Sequence, residues 1–198
     1  MRRSIVFPVL LCLLPGATAG AQYQPAPTQY TIVNVSRGQT QRFYRDGDRV
    51  LVDLKMPKSK YQPAAIHMRT IVDVPSKTQL TWNLLDASVP CNSPGQGDWG
   101  DPFGLWQQMA LDDSVPPTEV GKDTVNGMQT TVFEKTIRPG TAKFWRENRY
   151  GLLVKAVMTP KGRKPVEMFE TKEFKVGPPA ASAFAVPKRC TWKTPHRI

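Results

Sequence analysis

The residue types that carry out catalysis are sparse in this sequence. It holds two histidines, His67 and His196. A serine hydrolase needs a Gly-x-Ser-x-Gly elbow and a histidine placed beside it. No such elbow occurs, His67 falls on the expected wet face of a strand, and His196 sits in the tail. A zinc site draws on three or four clustered His, Cys or acidic ligands, and none cluster along the chain. Asp46-Gly47-Asp48 and the stretch Asp98 to Asp101 are weak calcium candidates. Turn chemistry accounts for the first and helix capping for the second. Carboxylate pairs of the glycosidase kind form in space rather than in sequence, and nothing in the sequence favours one. The expectation is a protein that is not an enzyme and that uses no cofactor and no metal.

The other residues suited to chemistry are apolar and suited to binding. Met68, Leu80, Trp82, Phe103, Trp106, Met109, Phe144, Val154 and Met168 are the candidates to line an apolar cavity. Thioethers adapt to ligands of variable shape and aromatic rings supply area. The same residues would otherwise pack an ordinary core, where large apolar side chains usually reside. The chain has three cysteines. Cys12 falls in the leader described below, which leaves Cys91 and Cys190 as a pair for a disulfide in an oxidising compartment. A loop that long is worth on the order of 4 to 5 kcal/mol in the chain-entropy picture.

The elements that must position these residues read as strand after strand. Residues 22–28 are Pro- and Gln-rich without a period and are expected to form a disordered lead-in. Tyr30 to Ser36, Gln41 to Arg45 and Arg49 to Lys55 follow, the last two flanking Asp46-Gly47, a strong hairpin signal. Ile66 to Val74 alternates, with Ile66, Met68, Thr70, Val72 and Val74 expected to face a core and His67, Arg69 and Asp73 to face water. Thr78 to Leu84 continues the pattern. A long loop rich in Pro, Gly, Ser and Asn runs from Asp86 to Gly100. Asp101-Pro102 then has the chemistry of a helix start, and a helix is expected to about Leu111. Asn126-Gly127 joins Glu119–Val125 to Met128–Ile137 as a second strong hairpin. Thr141 to Glu147, Leu152 to Thr159 and Val166 to Val176 complete a predicted antiparallel meander of about nine or ten strands, open or partly closed, with one main helix.

The order of motifs in the second half resembles the periplasmic lipoprotein-carrier (LolA-like) superfamily and its outer-membrane lipoprotein-sorting relatives. The match runs through Gly121, Asp123, Val125, Asn126 and Gly127, then Trp145. It continues through Gly151, Leu152, Val154 and Lys155, and ends at Phe184, Val186 and Pro187. It covers most of residues 40–190. The resemblance implies a mainly β fold: a curved antiparallel sheet forming an unclosed half-barrel, with the helix packed in or over its concave face. It also implies a binding protein that shields acyl chains of a lipid or lipoprotein there. Carriers begin with an amphipathic helix that forms part of the lid. The Pro-rich start here leaves that role to Asp101–Leu111.

The first residues set the compartment. Arg2 and Arg3, the apolar run Ile5–Leu14, and the small residues of Ala17-Thr18-Ala19 have the layout of a secretory signal, with cleavage after Ala19 or Ala21. The run is half the length of a membrane span. Val9-Leu10-Leu11 before Cys12 lacks the small residue that lipoprotein processing needs. The mature chain of roughly 178 residues suits a single domain over 29–190 with a basic tail at 191–198. It is expected to be soluble in the periplasm or outside the cell. The formal charge is +11, and Arg2 and Arg3 account for two of these, leaving +9. An exported basic protein meets anionic lipid and polysaccharide before nucleic acid, and no nucleic-acid module is present. The expected partners are acyl chains, an anionic membrane surface and an envelope protein. The alternative function is an envelope interaction or stress-sensing module whose core is filled by its own side chains.

Overall fold

In the computed structural model the described residues are 23–60, 62–92, 101–104 and 116–191. The first half of the chain supplies β1 (Gln29–Ser36), β2 (Gln39–Asp46), β3 (Arg49–Met56), β4 (Ile66–Asp73) and β5 (Thr78–Asn83). The second supplies β6 (Thr118–Val125), β7 (Met128–Ile137), β8 (Gly140–Glu147), β9 (Leu153–Pro160) and β10 (Val166–Val176). All ten join one antiparallel sheet in the order β5-β4-β3-β2-β1-β10-β9-β8-β7-β6, whose two edges do not pair with each other. Two local meanders thus meet back to back through β1 and β10, from Tyr30 opposite Val176 to Val35 opposite Glu170.

Turn chemistry sets the register. Arg37-Gly38 and Asn126-Gly127 take positive φ at both central positions, the requirement of a type I′ hairpin. The β2–β3 turn is shifted by one residue from the expected Asp46-Gly47. Asp46 pairs with Arg49, so the central residues are Gly47 and Asp48, and of these only Gly47 has positive φ. Glycine-first geometry of this kind matches a type II′ turn, which suits the strand twist equally well.

The sheet is curled. Strands lie about 4.8 Å apart, so β7 and β10, three steps apart, would be about 14 Å from each other in a flat sheet. Instead Asn126, in the β6–β7 turn, donates to Glu170 Oε1 and to the Thr171 carbonyl, both at 2.8 Å. Irregularities at Val33/Asn34, Glu119/Gly121, Trp145/Arg146 and Glu167/Phe169 add the local twist that bulges bring.

The first half buries both of its faces. Leu51, Ile71, Leu80 and Trp82 form an outer-face cluster covered by Ala183, Phe184 and the bonded Cys91 and Cys190. The disulfide is formed, with the Cα atoms 5.4 Å apart. It ties the C-terminal segment, including the short 3₁₀ turn Ala181–Phe184, across this face. The expectation that the His67–Arg69–Asp73 side of β4 faces water is therefore corrected. Ile71 on that side is fully buried, and Asp53 beside it is 3% exposed. Asp53 accepts from His67 Nε2 and Arg69 Nε, both at 2.8 Å.

The one main helix expected over Asp101–Leu111 is not supported. The start of the expected stretch is a turn, in which Gly104 N–H donates to the Asp101 carbonyl. Asp101 Oδ1 accepts from Phe103 N–H at 3.0 Å, closing a turn rather than capping the expected helix. The remainder, with Trp106 and Met109, lies outside the described residues, as do the leader and most of the basic tail. Among the described residues no helix is long and apolar enough to cross a membrane.

Candidate functional site

Strand alternation decides what the inner face presents. Ile32, Asn34 and Ser36 of β1 pair with Phe43, Gln41 and Gln39 of β2, and Phe43 and Gln41 pair with Val52 and Leu54 of β3. Paired residues share a face. At one end of this face the chain fills its own space. Phe103 packs edge-on against Tyr30 at 5.4 Å and Phe174 at 5.9 Å, and Tyr150 meets Phe174 at 5.8 Å. The Tyr30 hydroxyl is buried and has no hydrogen bond of good geometry among the described residues. Burial pushes its pKa above the ordinary phenol value.

Towards the other end the face is open. A half-open recess of about 490 Å³ has an apolar floor of Phe43, Val52, Leu54, Leu153 and Phe169. Asn34, Ser36, Gln39, Gln41, Thr70 and Gln79 supply amides and hydroxyls, and Asp101 and Pro102 close one side. Gln79 of β5 and Leu153 of β9 lie six strands apart in the sheet order, about 29 Å if flat. Both line one recess, so the sheet bends around it. Part of the polar wall is already engaged. Thr171 Oγ1 donates to Asn34 Oδ1 at 2.8 Å, Ser36 Oγ donates to the Met168 carbonyl, and Thr70 bonds Thr81 at 2.9 Å. The carboxamides of Gln39 and Gln41 make no hydrogen bond among the described residues. Asp101 is the one ionisable group among the lining residues.

The residues singled out in the sequence fall in four places. Phe103 and Val154 belong to the inner cluster around Tyr30 and Ile32. Phe144 packs with Leu153, Ala156 and Phe169, two of which form the recess floor. Leu80 and Trp82 lie on the outer face under the C-terminal segment. Met68 and Met168 are exposed at 36% and 38% and border solvent. Trp106 and Met109 lie outside the described residues. The polar wall is not among the candidates. Its signal is the run Asn34, Ser36, Gln39, Gln41, at alternating positions on either side of a tight turn.

No protein-family model matches the chain, and no curated protein matches it. Solved structures give distant likenesses. An uncharacterized conserved protein from Thermus thermophilus is 11% identical with a TM-score of 0.49, over 82% of this chain and 87% of that one. MucB in complex with MucA(peri) is 17% identical with a TM-score of 0.39, over 84% of this chain and 57% of that one. The Pseudomonas aeruginosa MucA/MucB complex gives 12% identity, a TM-score of 0.41, and coverage of 84% and 58%. This chain spans less than two thirds of those MucB-complex chains.

Proposed function

We propose that this protein is an exported binding protein that shields the acyl part of a lipid or lipoprotein in the inner-face recess. The observation that carries the reading is an apolar floor walled mainly by amides and hydroxyls, with the Asp101 carboxylate at one side, in a space of about 490 Å³. Ligand sites of this size commonly pair an apolar lining with a few convergent polar groups. Burial of methylenes supplies the driving force at roughly 25 cal/mol per Å². The Gln39 and Gln41 carboxamides suit the ester or amide linkage between a chain and its head group. No covalent step, cofactor or metal is involved, and the place of action is the envelope or the exterior.

The test is a titration with cis-parinaric acid, a fluorescent fatty acid. Saturable binding is expected in the wild type and in Val120→Glu, a substitution on the exposed β6 edge. It should be lost in Leu54→Glu, which places a charge on the recess floor. Equal binding by Leu54→Glu and wild type would contradict the proposal.

A second reading has its own observation. Tyr30, Phe103 and Phe174 already fill one end of the inner face. A protein that binds no amphiphile at all would fit an envelope interaction module with a self-filled core.

A further inference from the structure

A meander sends alternate turns to opposite ends of its sheet, and here the two ends differ in charge. The registers place the β1–β2, β3–β4, β7–β8 and β9–β10 turns at one end. These turns carry Arg37, Lys58 and Lys60, then Arg138, then Lys161, Arg163 and Lys164. All seven are exposed, and none of the four turns contains Asp or Glu. The acids at this end lie outside the turns: Asp86 and Glu119 at the two sheet edges, with Asp86 faced by Arg189, and Glu167 at the start of β10, 3.1 Å from Lys155 Nζ. The opposite end is mixed: its turns and strand termini hold Asp46, Asp48, Asp73 and Asp123 together with Lys77 and Arg149.

Neighbouring turns of the cationic end touch. The position of a Cβ on Gly38 is 3.7 Å from Pro57 Cγ. Lys161 N–H donates to the Pro139 carbonyl at 2.7 Å, and between these two pairs of turns Ser36, the last residue of β1, bonds the Met168 carbonyl of β10. Arg138, Lys161 and Arg163 also ring a shallow recess that includes Ile137, Pro139 and Pro160, so apolar surface lies among the cations. The inner-face recess opens in this half of the sheet, since Ser36 and Gln39 are the last paired row before the turn.

We infer that the cationic turn end is a docking face for a bilayer rich in anionic phospholipid. Its charge complements lipid phosphates, its apolar recess accepts the interfacial region, and its position turns the mouth of the inner recess toward the membrane. That last orientation rests on the binding reading above; the docking does not. Each basic residue near an anionic surface strengthens partitioning about fivefold, and salt screens it.

The test is co-sedimentation of the full mature chain with phosphatidylglycerol-rich vesicles and with pure phosphatidylcholine vesicles. Salt-sensitive binding to the first and none to the second is expected. Arg37→Gln/Lys58→Gln/Lys161→Gln/Arg163→Gln should lose binding several-hundredfold, at about fivefold per charge. Lys77→Gln/Arg149→Gln at the other end should bind as wild type. Wild-type affinity in the fourfold variant, or binding to phosphatidylcholine alone, would overturn the proposal. Binding to heparin without binding to vesicles would also overturn it and make polysaccharide the partner. Parinaric acid titration of the same variants separates the two ideas. The fourfold variant should keep the recess, and Leu54→Glu should keep the docking.

Discussion

Removing the Cys91–Cys190 bond should cost more stability than any single side-chain truncation in the tail. The bond spans 99 residues, and closing a loop of that order is worth about 4.7 kcal/mol in the chain-entropy picture. Packing adds a smaller amount, because Ala183 and Phe184 cover Leu51, Ile71, Leu80 and Trp82. Arg49 also lies 5.2 Å from the centre of the Phe184 ring. Each kcal/mol moves the midpoint of a domain this size by about 2 to 4 °C. Cys91→Ser/Cys190→Ser should therefore unfold about 9 to 19 °C below the wild type by circular dichroism, and reductant should shift only the wild type. Phe184→Ala with the bond intact should cost about 2 kcal/mol and keep its tail resistant to protease. A fall of less than about 3 °C in the double serine variant would refute the reasoning. The tail would then be held by packing alone.

Four further outcomes follow from single sites. Hydrogen bonds from Lys155 first, then Lys172, hold the Glu170 carboxyl down at about 2. Its ordinary value is 4.5, so its contribution to stability is complete above that pH and drains away as pH falls towards about 2. Urea unfolding should show this acid-side slope in the wild type and a reduced slope in Glu170→Gln, which should also be about 1 kcal/mol less stable at neutral pH. Asp53→Ala strands His67 and Arg69 and should cost about 2 to 3 kcal/mol by the same assay. Gly140→Ala should cost about 1 to 3 kcal/mol or rearrange the β8–β9 pairing, because its Cβ would stand 2.0 Å from the Thr159 carbonyl oxygen. Asn126→Ala removes both bonds from the β6–β7 turn to β10 and should increase amide exchange in β6 and β7 ahead of the other strands.

The strands are legible in the sequence because their signals are local. Period-two alternation and turn residues at Gly47, Asn126-Gly127 and Arg37-Gly38 mark where the chain extends and reverses. The partnership of β1 with β10 has no local signal, since the two strands lie more than a hundred positions apart in sequence. The same limit explains the faces. Alternation separates Met68, Thr70 and Val72 from His67, Arg69 and Ile71, but it does not reveal that a tail pinned by Cys190 covers the second set. Leu80 and Trp82 consequently pack under that tail. The polar wall escapes a reading in which large apolar residues mark the binding surface. Amides such as Gln39 and Gln41 become informative only once the sheet is seen to bend around them. The cationic end is half visible. Lys55, Lys58 and Lys60, and again Lys161, Arg163 and Lys164, lie close together in the sequence, while their convergence with Arg37 and Arg138 needs the strand registers.

The most direct test of the binding reading is native mass spectrometry of the mature protein isolated from its own envelope, with lipid extraction of the same sample. A co-purifying acyl-bearing molecule is expected in the wild type and should be absent from Leu54→Glu. A clean apo mass for the wild type, from material that is folded and disulfide-bonded, would contradict the account and leave the recess without a ligand.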